Sequence, residues 1–150
     1  MAEHTVGVYP PSLNESFADD RTRPFWEAAV EGRVSVPKCD NCGTCVIPPK
    51  PYCFECQGQD FTWVDLPGTG TIYTFTIVRH PLHPGLNDVV PYVAGIIDLD
   101  GTQGAGARLM GNIFDCVPQD VRIGDKVEVD FEPLSDDYAM MRFRHVGPPE

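Results

Sequence analysis

Apolar positions in this chain recur with two periods. In the stretch RPFWEAAVEGR, Phe25, Trp26, Ala29 and Val30 share one side of a helix predicted from about Arg23 to Glu31. Pro24 suits the first helical position, where a missing N–H costs nothing, and Gly32 suits the place just past the end. So short a helix is marginal alone and needs a surface to pack on. After it the period drops to two. Val34 and Val36 alternate before a cysteine- and proline-rich stretch, and Phe61 and Trp63 alternate after it, as strand residues do. From Leu66 onward every apolar run has the strand pattern. PGTGTIYTFTIVRH is a long first strand, PYVAGIIDLD a second ending in a turn at Asp100–Gly101, and ARLMGNIF a third with Gly111 as a candidate bulge. KVEVDFE and, after an SDD turn, AMMRFRHV complete five strands, and DCVPQDVRIGD leaves room for one helical turn between the third and fourth. A long, bendable first strand followed by this order predicts a mainly β chain ending in a five-stranded Greek-key barrel of the OB type. A β-sandwich would give a similar string of strands. The expected organisation is an N-terminal arm and helix over residues 1–32, a ribbon over 33–63 and the barrel over 64–150. Residues 1–22 show no sustained periodicity and are expected to form an extended arm, either a tail or a strap laid on a partner.

The ribbon carries the strongest chemistry. CDNCGTCVIPPKPYCFEC contains two Cys-x-x-Cys pairs with ten residues between them. Each pair fits a tight turn, and two facing turns offer four thiolates to one tetrahedral ion, an arrangement suited to zinc. The expected ligands are Cys39, Cys42, Cys53 and Cys56. Cys45 is a fifth cysteine inside the loop; pairing it with Cys42 would strand Cys39. A disulfide framework is the competing explanation. The N-terminus MAEHTVGVYPPS lacks the basic patch and apolar core of a signal peptide, so a cytoplasmic chain with reduced thiols is expected. A thioredoxin-like redox motif normally occurs once, in a βαβ setting. Four thiolates leave zinc no open position, so the ion is expected to be structural, one per chain. Cys45 and Cys116 are expected to be unligated and buried as small apolar residues.

Charge narrows the choice of partner. The net charge is −11, of which −4 falls on residues 1–32, zero on 33–63 and −6 on 64–145, with Glu150 supplying the last unit. That balance repels phosphate backbones and opposes general nucleic-acid binding. No apolar run approaches the ~20 residues needed to cross a bilayer, so no membrane partner is expected.

The helix FWEAAVEGR, the two Cys-x-x-Cys pairs around CGTCVIPPKPYC, then GTGTIYTFTIVRH and RIGDKVEVDFE occur here in one order. From about Pro24 to Arg144 the chain resembles the zinc-ribbon/OB-fold acyl-CoA-associated proteins, including in this view a rubredoxin-like ribbon. The resemblance implies a non-catalytic subunit that assembles with a thiolase-superfamily protein, either a true thiolase or a lipid-transfer-protein-type aldolase, as a hetero-oligomer with two of each chain. It implies that the partner cleaves a carbon–carbon bond in an acyl-CoA, by thiolysis or retro-aldol chemistry, and that this chain helps to form the CoA entrance. The acyl group could be aromatic, as in benzoylsuccinyl-CoA, or a steroid side chain.

The remaining residues offer little catalysis of their own. His80 and His83 in RHPLHPGLND fit a solvent-facing loop better than a base pair or a metal site. GTQGAGAR opens a strand rather than a helix, so it fits a hairpin turn better than a phosphate cradle. Asp136 and Asp137 sit in a turn. The nucleophile of acyl transfer is therefore expected on another chain. CoA carries phosphates, so a contact needs local positive charge, for which Arg79 and Arg108 are the candidates; Lys38 and Lys50 lie around the ribbon. Phe25 and Trp26 are candidates for anchoring a partner, since aromatics are enriched at interface hot spots. Two other functions fit parts of the pattern. A single-stranded nucleic-acid binder would stack bases on Tyr73, Phe75 and Tyr92, and a stand-alone thioesterase would show turnover without a partner.

Overall fold

The computed structural model of the chain describes residues 19–102 and 106–149, so most of the expected N-terminal arm lies outside the described residues. A single helix, α1 (Arg23–Val30), opens the described chain. The Asp19 carboxylate starts it by accepting the Thr22 amide at 2.8 Å and the Arg21 amide at 3.1 Å. Gly32, at φ +73°, ends it: its amide bonds the Ala29 carbonyl, and the Arg33 amide bonds that of Ala28. These are the paired bonds of a glycine-terminated helix end. The buried side is Phe25, Ala28 and Ala29, while Val30 is 44% exposed. The apolar face is thus turned by part of a residue step from the one expected. A helix on this surface brings positions i, i+3 and i+4 inward, and Val30 falls with Trp26 on the neighbouring strip.

Strands β1 (Val34–Cys39) and β2 (Phe61–Leu66) form an antiparallel hairpin from Val34↔Leu66 to Cys39↔Phe61. The cysteine-rich loop 40–60 is its tip. Five strands follow: β3 (Thr69–Val78), β4 (Tyr92–Leu99), β5 (Arg108–Phe114), β6 (Lys126–Pro133) and β7 (Ala139–Gly147). They close a barrel in the order β3-β4-β5-β7-β6, with β6 returning to β3. The β5–β7 pair is parallel and the others are antiparallel. This is the five-stranded OB barrel expected, not a sandwich.

Closure depends on bending β3. A register shift between Ile72 and Thr74 leaves Tyr73 outside the ladder, and the start of the strand bonds β4 on one edge and β6 on the other. The expected bulge at Gly111 is absent: Gly95 pairs with Gly111 in an unbroken β4–β5 ladder. Gly111 is instead the residue that makes room for an aromatic ring. A Cβ there would lie 2.8 Å from the Phe143 ring, which fills the barrel with 0% exposure. The connector between β5 and β6 contains a hydrogen-bonded turn, with the Asp120 amide on the Val117 carbonyl, in place of a helical turn.

Burial alternates cleanly along β4, with Val93, Gly95, Ile97 and Leu99 inward. The core joins Ile72, Ile97, Ile113, Val127, Met141 and Phe143 of the barrel to Phe25 and Ala29 of α1 and to Val34, Val36 and Cys45 of the ribbon base. The helix, the hairpin base and the barrel therefore share one apolar interior. No helix among the described residues is long and apolar enough to cross a membrane.

Candidate metal centre

The four expected ligand residues converge. The sulfurs of Cys39, Cys42, Cys53 and Cys56 all lie within 4.8 Å of one another, with Cys39–Cys56 and Cys42–Cys53 at 3.6 Å. A regular tetrahedron with zinc–sulfur bonds of ~2.3 Å has sulfurs about 3.8 Å apart, whereas a disulfide needs ~2.05 Å. The cluster has metal-site dimensions, and all four cysteines are free.

Two copies of one backbone turn build it. In the first, the Gly43 amide bonds the Cys39 carbonyl at 2.8 Å and the Cys39 amide bonds the Thr44 carbonyl at 2.9 Å. In the second, the Gln57 amide bonds the Cys53 carbonyl at 2.9 Å and the Cys53 amide bonds the Gly58 carbonyl at 2.8 Å. Residues with positive φ, Gly43 at 77° and Gln57 at 62°, follow the second cysteine of each pair. The two sulfurs of the first pair are set differently: the amides of Cys42 and Asn41 lower the Cys39 thiol, but burial and the neighbouring Cys56 and Cys42 thiols outweigh them and push it up to about 11. The Thr44 hydroxyl, 3.3 Å from Cys42 Sγ, and the Thr44 amide together pull that thiol down, to about 6. Donors aimed at sulfur stabilise the thiolate, which is the form that binds metal. Gly58 closes the site; a Cβ there would sit 3.2 Å from Cys39 Sγ and 3.3 Å from Cys56 Sγ. The residues present fit one tetrahedral ion with no open position.

Thr44, Gln57 and Gly58 were not singled out from the sequence. Gly43 after Cys42 is a visible turn signal, but the second turn hides its likeness behind Gln57. Cys45, 3% exposed, lies outside the four-sulfur cluster and belongs to the shared core. Cys116 is half-buried, and burial, helped by Asp115, raises its thiol to about 11.

The other candidates do not form one site. Arg108 is engaged locally: its Nε donates to Asp98 Oδ1 at 2.6 Å and its guanidinium lies 3.7 Å above the Tyr73 ring. Arg79 is exposed at the far end of β3, where Val78 pairs with Tyr92, while Arg108 pairs with Asp98. About seven strand residues, or ~23 Å, separate the two ends. His83 Nδ1 accepts the Gly85 amide and caps a short 3-10 turn, Pro84–Leu86. Of the proposed stacking residues, Phe75 packs against the core and Tyr73 lies under Arg108. Phe25 is 8% exposed and meets Trp26 edge-on, with ring centroids 5.2 Å apart. Trp26 is half-buried and also meets Tyr138 edge-on, at 6.2 Å. With Val30 and Tyr138 it lines an open cavity of about 330 Å³ rimmed by Glu27, Asp136 and Asp137.

Comparison with known proteins agrees with this architecture. The family described as "ChsH2, rubredoxin-like zinc ribbon domain" matches residues 26–62, and "ChsH2, C-terminal OB-fold domain" matches residues 63–132. A "DUF35 domain-containing scaffold protein" of Methanocaldococcus jannaschii is 38% identical over 101 residues, covering 67% of this chain and 68% of the relative. A "Probable enoyl-CoA hydratase alpha subunit" of Thermomonospora curvata is 32% identical over 142 residues; these cover 94% of this chain but only 43% of that longer protein. Among solved structures, one described as "Ltp2-ChsH2(DUF35) aldolase" superposes with a TM-score of 0.74 at 28% identity, covering 87% of this chain and 98% of the other. A DUF35-family protein of Sulfolobus solfataricus, at 16% identity and a TM-score of 0.60, shares the fold. With its four-cysteine ribbon, its closed barrel and these relatives, the chain belongs to the ChsH2/DUF35 family of zinc-ribbon and OB-fold proteins.

Proposed function

We propose that this chain is a non-catalytic, zinc-holding subunit of a complex in which a thiolase-superfamily partner breaks a carbon–carbon bond of an acyl-CoA. The observation that carries this proposal is the similarity, over 87% of this chain and 98% of the other, to a chain in the structure of an Ltp2-ChsH2(DUF35) aldolase. The longer enoyl-CoA hydratase relative supports an acyl-CoA setting. The partner is a lipid-transfer-protein-type aldolase or a thiolase, performing retro-aldol cleavage or thiolysis, in a hetero-oligomer with two of each chain in the cytoplasm. An aromatic acyl-CoA or a steroid side-chain thioester is the substrate class.

The chain's own side chains support the division of labour. A cysteine nucleophile needs a thiol held low and accessible. Cys116 is raised, Cys45 is buried, and Cys42, the one thiol held low, belongs to the metal set. His145 is committed to the buried Asp125, at 2.8 Å. What the chain offers is a preformed surface. A tip fixed by a metal and a base fixed in the barrel core lose little freedom on docking, which favours association. CoA is a ligand shared with the partner; Arg79, exposed and without a described ion-pair partner, is better placed to meet a phosphate than Arg108, which would first have to leave Asp98. Trp26, held by Phe25 and Tyr138, is an anchor at the helix end of the molecule.

The test is a pull-down of the tagged chain from its native extract, with bound chains identified by mass spectrometry and CoA-thioester cleavage assayed. The expected result is a thiolase-fold chain whose cleavage activity is absent from this chain alone. Turnover by the lone chain would favour a small thioesterase, and recovery of nucleic acid would favour the single-strand binder; either would sink the subunit proposal.

A further inference from the structure

Three of the open cavities among the described residues differ in whether their charges are already matched. The groove at Trp26 is lined by Glu27, Glu31, Asp136 and Asp137 against one cation, Arg23. A hollow of about 500 Å³ between the hairpin base and β6 holds Arg33, which is paired with Glu31 and, at 2.7 Å, with Asp65. The third, of about 320 Å³, lies between the start of α1 and the hairpin, with Arg21 and Lys50 among its lining residues. Of the eleven Lys and Arg residues, five are in ion pairs, while Arg122 and Lys126 bond protein oxygens. That leaves Arg21, Lys38, Lys50 and Arg79, and two of these four line this one cavity. Its only carboxylate, Asp20, is taken by Arg23 at 2.5 Å. Arg21 acts on Asp19 through space but makes no ion pair with it.

The walls are flat and apolar. Phe61 and Trp63 stand two residues apart on β2 and so face one side of the hairpin, where Pro37 lies opposite Trp63. Pro24, Pro49 and Pro51 complete the lining. Both rings are half-buried, and both are held from behind, Phe61 by the tip cluster and Trp63 by the shared core. Fixed aromatic faces stack planar heterocycles, and unmatched guanidinium and ammonium groups favour phosphate. The volume is near the small end of ligand pockets, which run from about 300 to 1,000 Å³, so it suits one ring system with its sugar rather than a whole CoA. A nucleic-acid strand would run on from the cavity onto a chain of net charge −11, which repels it.

We infer that this cavity holds the nucleotide end of the CoA thioester, with the adenine against Trp63 and Phe61 and the phosphates against Arg21 and Lys50. This rests on the subunit role proposed above, which supplies the CoA. It leaves the acidic Trp26 groove to the partner chain. Arg79 follows the far end of β3 and does not line the cavity, so a phosphate held there would lie at a different place.

The test follows Trp63 in the full, zinc-loaded chain. There are two tryptophans, so Trp26→Phe leaves Trp63 as the only reporter. CoA should quench its fluorescence saturably, dephospho-CoA should bind several-fold more weakly, and pantetheine, which lacks the nucleotide, should not bind. Arg21→Ala/Lys50→Ala changes two exposed positions and should keep the fold while weakening CoA at least tenfold. Arg144→Gln, which removes one positive charge from the barrel wall, should leave CoA binding within about twofold. In the complex with the co-purifying thiolase-fold chain, the double change should raise KM for the CoA thioester about tenfold and leave kcat within about twofold. Three results would overturn the inference while the subunit role stands: no quenching by millimolar CoA, equal quenching in the double variant, or a loss that follows Arg79→Ala but not the double change. Benzoate that quenches as strongly as CoA would make the ligand an aromatic carboxylate, and an oligonucleotide that displaces CoA would make it a single strand; either overturns the inference too. Failure to capture any thiolase-fold protein is a separate result. It would remove the subunit role, whereas quenching of Trp63 by CoA would still support the cavity.

Discussion

At the ribbon tip the buried apolar residues are Cys39, Val46 and Cys53, with Cys56 and Phe61 packed against them. In the barrel a continuous interior runs from Ile72 through Phe143 and reaches the helix and the hairpin base. Two of the three buried residues at the tip belong to the four-cysteine set positioned to hold a metal ion. The tip therefore has almost no hydrophobic energy independent of the ion, whereas the barrel gains its stability from area, at roughly 25 cal/mol per Å² of apolar surface buried. The two regions should respond to different insults. Removing one ligand is all-or-none for the tip, and removing one side chain is graded for the barrel.

The largest effect expected is loss of the ion. Structural zinc contributes about 10–16 kcal/mol in small ribbons at neutral pH. Purified protein should hold one zinc per chain by elemental analysis, and Cys39→Ser or Cys56→Ser should give insoluble or partly unfolded protein. Stripping the metal should unfold loop 40–60 and lower Tm by ~10 °C or more, since a few kcal/mol is worth that much in a domain of this size. The barrel strands should outlast the tip in hydrogen exchange, because their core does not contain the ion. A metal-free preparation with unchanged thermal stability would show that the tip holds itself without zinc.

Next comes the barrel's central ring. Phe143→Ala should cost about 3–5 kcal/mol, the range for emptying a buried aromatic site, without changing zinc content. Gly111→Ala approaches the same ring from the opposite side, with a Cβ 2.8 Å from it, and overpacking of that kind costs ~1–3 kcal/mol. If either variant lost its zinc at the same denaturant concentration at which the barrel unfolds, the two regions would be one cooperative unit, and the contrast would lie only in what supplies the energy.

Acid separates them further. Asp125, 5% exposed, accepts the Arg122 amide at 2.8 Å and faces His145 Nε2 at 2.8 Å. Burial alone would raise its carboxyl; the hydrogen bonds from His145 and the Arg122 amide outweigh that and hold it below the usual carboxylate value of 3.8. A carboxylate lowered in the folded state stabilises fully above its unfolded pKa, and that contribution is lost as pH falls through the folded value. Asp125→Asn should cost ~1–3 kcal/mol at pH 7, and its deficit relative to wild type should shrink below pH ~4. Metal release is also proton-driven, because protons compete for thiolates, so zinc must be followed with a chelating dye in the same titration. A deficit that stayed constant down to pH 2 would mean the side chain matters by shape alone.

The parts of this structure legible in the sequence are those set by local chemistry or by period. The two Cys-x-x-Cys pairs, the helix with Pro24 and Gly32 at its ends, and five alternating strands in OB order all belong to that class. What escaped depends on which residues meet at a distance. Period two says that Gly111 lies in a strand but not that the Phe143 ring needs its space. A 3.6-residue period brings Phe25 inward but leaves Ala28 and Val30 to be chosen by the surface the helix meets. Arg79 and Arg108 both read as basic residues beside strands, yet Arg79 follows the end of β3, at the opposite end of the sheet from Arg108, which is given to Asp98. The shared interior was hidden for the same reason, since Val34 and Val36 look like ribbon residues until the hairpin is laid on the barrel.

The smallest effect expected lies inside the tip, where its two turns can be compared with each other. Gly43 and Gln57 occupy equivalent positions, both with positive φ, and Gln57 is exposed. A residue with a Cβ pays about 1–2 kcal/mol in that conformation, while glycine gives back roughly 0.5–1 kcal/mol through the entropy of the unfolded chain. Gln57→Gly should therefore stabilise the folded protein by no more than ~1 kcal/mol, and Gly43→Gln should destabilise it by a similar amount. Denaturant midpoints with zinc saturating, and zinc affinity by competition, would measure both. If the ion dominates the tip, each change should appear mainly as a shift in zinc affinity, because the turn's strain is borne only when the sulfurs are gathered. A shift in the barrel's midpoint with zinc affinity untouched would mean instead that the turn is already set before the metal arrives.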